Sequence, residues 1–198
     1  MKKVSKGNFG YTLSHRKWQI LKMSLYISIA LAVFLLGLIV TKRTKNLMSI
    51  VAIVGALPIS KEAVGVIMSF KRKPMDLALY KEISSKAGNL EQAYELLFTT
   101  AEKSYPIEAA IVEGVDVICY SADKACETEK LQAHLYKLLN ANDFKQKVKV
   151  YTDYQKFMNH LGDLVRRTPQ EVPYKQNPMY PDLNRDQLVK HLLLALSI

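Results

Sequence analysis

The run Met23-Ser-Leu-Tyr-Ile-Ser-Ile-Ala-Leu-Ala-Val-Phe-Leu-Leu-Gly-Leu-Ile-Val40 is 18 residues long and carries no charge. As a helix it covers ~27 Å at ~1.5 Å per residue, close to the ~30 Å hydrocarbon core of a bilayer. Trp18 and Tyr26 suit the interface at its N-terminal end. A signal peptide is the competing reading. Such a leader has a shorter apolar core and small residues at its cleavage site, whereas Thr41-Lys42-Arg43 follow here. The run therefore reads as an uncleaved anchor.

A second apolar run, Leu47 to Phe70, begins six residues later and is interrupted by Lys61-Glu62. Together the two predict a transmembrane hairpin over residues 23–73, with spans at about 20–40 and 47–70. The second arm is irregular. Leu47 to Ser60 is apolar for only 14 residues, and Pro58 removes a helical hydrogen bond and crowds the carbonyl of Val54. A charge at the bilayer centre costs roughly 2.5–3.5 kcal/mol on insertion scales. Three placements lower that cost for Lys61 and Glu62. The span tilts and holds them off-centre; the helix breaks at Pro58 and Ser60 caps a second, interfacial helix; or the pair faces another protomer or a polar cavity. Pro58, Ser60, Lys61 and Glu62 are thus the candidate intramembrane or interfacial site. Ser60 beside Lys61 is no nucleophile–base pair, because adjacent helical residues point ~100° apart.

Charge separates the chain into two parts. Residues 1–73 hold 13 Lys/Arg and one acid; residues 74–198 hold 15 Lys/Arg and 17 acids. The overall +10 belongs to the membrane region, where basic residues meet anionic head groups. A nucleic-acid binder carries its positive stripe on the folded domain, so nucleic acid is not an expected partner; membrane lipid is. The basic N-terminus (residues 1–22) and Lys71-Arg72-Lys73 together hold nine Lys/Arg, and the loop holds Lys42, Arg43 and Lys45. The positive-inside rule then places both ends in the cytosol of a two-span protein of the cell membrane. Cys119 and Cys126 are the only cysteines and lack metal-ligand spacing, which fits reduced thiols in that compartment. The low Arg content, six against 22 Lys, suggests a bacterial source.

Residues 74–167 read as one soluble α/β domain. Leu77, Tyr80, Ile83 and Ala87 recur at helical spacing, and Gly88-Asn89 ends that helix. Ala93 to Thr100, Ile107 to Val112 and Val115 to Tyr120 read as strands, the last two joined by a tight turn. Ser121-Ala122-Asp123 offers a cap for a helix faced by Leu131, Leu135, Leu138 and Leu139. Val148 and Val150 alternate with lysines in a fourth strand, and Asp153 caps a helix whose buried face is Phe157, Leu161, Leu164 and Val165. The order is α-β-β-β-α-β-α, a small mixed sheet with helices packed on it. Residues 168–198 form a tail: a Pro-rich segment (Pro169, Pro173, Pro178, Pro181) and a last apolar helix. That helix either packs back on the domain or meets a partner. Tyr174, Tyr180, Leu188, Leu192 and Leu196 are the candidate partner-binding residues.

The α-β-β-β-α-β order of residues 75–151 is similar to the core of restriction-endonuclease-like nucleases. The resemblance implies Mg²⁺ held by an Asp on one strand and an acid-x-Lys triplet on the next, with Glu108, Glu113 and Asp116 as the candidate carboxylates. Here the triplet strand reads Val115-Asp-Val-Ile-Cys-Tyr120, with Ile118 where the lysine belongs. His134 lies on the wet side of its helix; His160 and Asp163 share a face without a second histidine; phosphate loops are absent. Arg166-Arg167 complement a helix dipole. No catalytic residue, metal or cofactor is expected. The expected function is a membrane-anchored, non-enzymatic protein-interaction or assembly module on the cytosolic face, with a protein partner or a second copy as ligand. The alternative is a diverged nuclease-fold protein acting on nucleic acid without an intact metal site.

Overall fold

Strand Glu91–Thr99 (β1) pairs antiparallel with Ser104–Glu113 (β2), β2 pairs antiparallel with Asp116–Tyr120 (β3), and β3 pairs parallel with Lys147–Tyr151 (β4). The result is a mixed sheet in the order β1-β2-β3-β4. The computed structural model describes residues 4–41, 47–100, 102–167, 172–174 and 180–197. They fall into two compact units, 12–71 and the combination of 4–11 with 72–197.

The second unit is the α/β domain. Helices Leu77–Ala87 (numbered α4, after three in the other unit), Thr128–Asn140 (α5), Tyr154–Arg166 (α6) and Arg185–Leu196 (α7) cover the sheet. Ile83 and Ala87 of α4 and Phe157, Leu161 and Leu164 of α6 pack with Ile111 and Ile118 on one face. Leu131, Leu135 and Leu139 of α5 and Val189 and Leu193 of α7 pack with Val112, Val117 and Cys119 on the other. The strands bury both faces, which is why β2 reads as a nearly continuous apolar run. A two-residue turn, Gly114-Val115, joins β2 to β3, and Gly114 takes φ +54°. The parallel pair β3–β4 needs a crossover, which α5 supplies.

The expected elements of this domain are present, with two local corrections, and the last helix takes one of its two expected placements. Helix α5 starts at Thr128 rather than after Ser121-Ala122-Asp123, because those residues close on one another: Asp123 N–H donates to Ser121 Oγ (3.3 Å) and Ala125 N–H to Asp123 Oδ1 (3.0 Å). Val165 and Leu77 are exposed, so the buried faces of α6 and α4 are narrower than read. The last helix packs on its own domain: Leu188 is buried, and Leu192 and Leu196 are half-buried against the sheet core. An Asn184/Gln187 capping box opens it.

The first unit contains Tyr11–Thr41 (α1), Leu47–Val54 (α2) and Ala56–Lys71 (α3). Among the described residues one helix, Tyr11–Val40, is long and apolar enough to cross a membrane. The second run is two helices, and its break differs from the expectation. The chain breaks at Gly55, one residue past Val54, the residue whose carbonyl the Pro58 ring excludes. Pro58 itself sits in the first turn of α3, where a missing N–H costs nothing. Ser60 caps nothing: its hydroxyl donates to Ala56 O within α3 (3.1 Å). Arg16 donates to Ser69 O (3.0 Å) with its guanidinium over the Phe70 ring (4.4 Å), and a Cβ on Gly65 would come within 2.9 Å of Gln19 Nε2. Position 16 meeting 69–70 and position 19 meeting 65 makes α1 and α3 antiparallel. Of the exposed large apolar side chains among the described residues, all but Leu77, Tyr136, Val165 and Tyr174 lie between Leu13 and Phe70.

Candidate functional site

The parallel strands β3 and β4 send their following helices to opposite faces of the sheet: α5 joins one core and α6 the other. Such a switch point leaves a crevice beyond the carboxyl ends of the two strands, the general place for ligands in open α/β sheets. At the carboxyl ends here stand Tyr120-Ser121-Ala122-Asp123 and Asp153-Tyr154, with Glu108 of the neighbouring antiparallel strand beside them, and Tyr120, Ser121 and Glu108 are buried. Glu108 lies one step beyond the Ala109↔Tyr120 pair, and Glu95 follows it on β1.

Four carboxylates hold this rim together. Glu95 Oε1 accepts from Met75 N–H (3.0 Å) and Glu108 Oε2 from Ala122 N–H (2.8 Å). Asp123 Oδ1 accepts from Ala125 N–H (3.0 Å), and Asp153 Oδ1 from Gln155 and Lys156 N–H (2.9 and 3.2 Å). Ser121 Oγ donates to Pro106 O (2.7 Å). The Tyr120 ring meets Tyr154 and Phe157 at centroid distances of 5.5 and 5.4 Å. Burial pushes the Glu108 carboxyl above its ordinary range, although the Ala122 amide and Lys73 pull the other way. Burial, with Glu108 and Asp153 nearby, raises the Tyr120 phenol as well. Each carboxylate thus spends an oxygen on backbone N–H groups, fixing the start of α4, the β3–α5 loop and the start of α6. The cluster braces the backbone at the carboxyl ends of the strands.

The carboxylates that the nuclease resemblance proposes do not converge. Glu113 and Asp116 pair across the Gly114-Val115 turn, five residues along β2 from Glu108, or ~16 Å at ~3.3 Å per residue. Asp116 is held by Arg167 (3.0 Å), which explains that arginine beyond the helix dipole. Burial and the Asp186 charge raise the Glu113 carboxyl. Among the described residues no three His, Cys, Asp or Glu side chains form a metal-holding group. His160 Nδ1 lies 2.8 Å from Tyr151 Oη, and its imidazole is kept below its ordinary range by burial and by Lys149. Both thiols are buried; burial drives the Cys119 thiol to about 12 and raises Cys126.

The remaining candidates are scattered. Pro58, Ser60 and Lys61 are exposed on α3 and Glu62 is half-buried. Tyr174 is exposed and its hydroxyl donates to Leu183 O (3.2 Å), while Tyr180 lies against His191 (4.7 Å). Residues 168–171 and 175–179, with Pro169 and Pro178, lie outside the described residues, as do Lys42, Arg43 and Lys45. Sequence reasoning missed Glu95. Its signal was a lone charge inside an apolar strand, between Tyr94 and Leu96. Comparison of the chain with family models, curated proteins and solved structures finds no match.

Proposed function

We propose that this chain is a two-span membrane protein that holds its α/β domain at the cytosolic face, where it works as a non-enzymatic interaction or assembly module. One observation carries the hairpin. Residues 4–11 belong to the same compact unit as residues 72–197. Both ends of the 12–71 segment therefore emerge on one side of whatever it crosses, and the number of crossings is even. The antiparallel contacts of α1 with α3 support the same reading. Extended by about one turn beyond the 19–65 contact, their register sets Lys61-Glu62 level with Lys22-Met23, at the mouth of the apolar run. That favours the off-centre placement, with Leu47–Ser60 as the returning arm. The positive-inside bias puts both ends in the cytosol.

The interaction reading rests on the carboxylate cluster at the strand ends, which braces the backbone rather than converging on one point. A protein partner or a second copy is its ligand, and membrane lipid surrounds the hairpin. The alternative, a diverged nuclease-fold protein acting on nucleic acid, is favoured by the α-β-β-β-α-β order alone.

Labelling with a membrane-impermeant maleimide tests the topology. Thr44→Cys is expected to react from outside intact cells, and Asn8→Cys and Lys124→Cys only after permeabilisation. Outside reaction of Asn8→Cys overturns it. A photocrosslinker at Lys124, exposed on the loop between β3 and α5, tests the module. It is expected to capture a partner chain or a second copy; a strictly monomeric, uncrosslinked protein overturns it.

A further inference from the structure

We propose that residues 4–11 are a strap that makes completion of the α/β domain depend on completion of the membrane hairpin. The proposal rests on the same-side reading above. The strap is anchored at both ends of the domain's chain. Gly7 O accepts the Tyr94 N–H at 2.8 Å, on edge strand β1. Phe9 stacks on Tyr80 of α4 at 4.5 Å, and Tyr80 meets Tyr94 edge-on at 5.0 Å. Lys6 Nζ donates to Ser197 O at the end of α7 (2.5 Å). Gly7 is buried at φ +85°, and a Cβ there would lie 2.5 Å from Leu194 Cδ2, so a larger residue is strained here and has to displace the Leu194 side chain. Arg72, the first domain residue after the membrane segment, sets its guanidinium over the Tyr11 ring at the strap's end (5.3 Å).

The strap precedes the membrane segment in the chain, and Tyr80, Tyr94, Arg72, Leu194 and Ser197, which it meets, follow that segment. A chain that crosses once leaves strap and seat on opposite sides of the bilayer. Tyr94 N–H, the Tyr80 face and the β1 edge then stay open, an edge that invites non-native pairing. Two crossings bring strap and seat together, so the closed domain is a readout of correct insertion.

The two native cysteines report closure, because Cys119 is fully buried and Cys126 nearly so. In native membranes, the full chain carrying Gly7→Val and Phe9→Ala is expected to react with a permeant maleimide at least about tenfold faster than the native chain, through local opening. An unchanged rate overturns the strap. A second chain, with Ile50, Val51, Ile53 and Val54 changed to Asn so that the returning arm stays out of the bilayer, is expected to react at the rate of the urea-unfolded protein. Native-like protection there overturns the coupling. Asn8→Cys and Lys124→Cys labelled from opposite sides in the otherwise native chain would sink the hairpin reading and the strap with it, whereas same-side labelling with an unchanged Gly7→Val, Phe9→Ala rate would sink the strap and leave the hairpin standing.

Discussion

Glu95 and Glu108 face each other across β1 and β2, between the ladder partners Tyr94↔Ala109 and Leu96↔Ile107, and are 4% and 6% exposed. Tyr94 and Ala109 pack with α4 and α6, whereas Leu96 and Ile107 pack with α5 and α7. Strict alternation would put residues two apart on one face. Both strands therefore slip by one residue at the same place, and pairing resumes in register. Glu95 takes φ +54° to do so, a conformation costing on the order of 1–3 kcal/mol for a residue with a Cβ. The Met75 and Ala122 amides that the two carboxylates accept are the return on that strain.

Replacing Glu108 by Gln isolates the cost of its charge. Burial raises the folded carboxyl above its unfolded value. Between those two values the folded chain binds more protons than the unfolded chain, so stability falls as pH rises through them and stays reduced at neutral pH. Gln keeps an oxygen for the Ala122 N–H and carries no charge. Glu108→Gln is expected to raise Tm by a few degrees at pH 7, with the gain shrinking to nothing below about pH 4. Thermal melts across that range check it; a gain that persists in acid would mean that packing, not charge, is responsible.

Asp153 caps α6 through two backbone N–H groups, whereas Glu127 at the start of α5 makes no side-chain cap bond. Asp153→Ala is expected to cost about 1 kcal/mol, within the 0.5–2 kcal/mol usual for a lost cap. Glu127→Ala is expected to cost less, since its partners Lys103 and Lys130 hold it at the surface. Urea midpoints at constant slope compare the two, and equal losses would refute the assignment of the cap to Asp153.

The contrast between these two helices also shows how far the sequence carries. Asp153 stands directly before a 3.6-period apolar stripe, so cap and helix were legible together. Ser121-Ala122-Asp123 has the same residue types, but its side chains turn back on their own loop and on the Pro106 carbonyl, which residue identity alone does not reveal. The element order followed from Leu131, Leu135 and Leu139, from the lysine–valine alternation of β4, and from the apolar continuity of β2. The paired slip at Glu95 and Glu108 was hidden, because it depends on which residue of one strand meets which of the other. The strap was hidden for the same reason: Gly7 and Phe9 gain meaning only beside Tyr94 and Tyr80, more than 70 positions away.

Pro58 causes the break at Gly55 because its ring excludes the Val54 carbonyl and it offers that carbonyl no N–H. Pro58→Ala restores both, and the run Leu47–Lys71 is expected to become one helix. Nitroxides at positions 50 and 67 would then lie ~25 Å apart at ~1.5 Å per residue, with a narrower distribution than in the native chain. Pulsed EPR in lipid reads that distance. No change would shift the cause to Gly55.

The two sheet edges are protected by different means. Edge β1 carries the 4–11 segment through the Gly7–Tyr94 hydrogen bond. Among the described strands edge β4 pairs with β3 alone, and its Val150 N–H is taken by the Gln132 side chain at 3.2 Å. Lys147 and Lys149 are exposed along it. Charged side chains on an edge strand disfavour pairing with another sheet, by repulsion and by the cost of desolvating them. Changing both lysines to Val turns Lys147–Tyr151 into an uninterrupted apolar β-run on an open edge, the composition that stacks into cross-β assemblies. Lys147→Val with Lys149→Val is expected to drive concentration-dependent association beyond that of the native protein, seen as larger species in light scattering of the detergent-solubilised chain. The matched Lys147→Arg, Lys149→Arg chain keeps the charge and is expected to match the native protein. If the Val variant scatters like the native chain, Gln132 and α5 close this edge by themselves and the lysines are not needed for it.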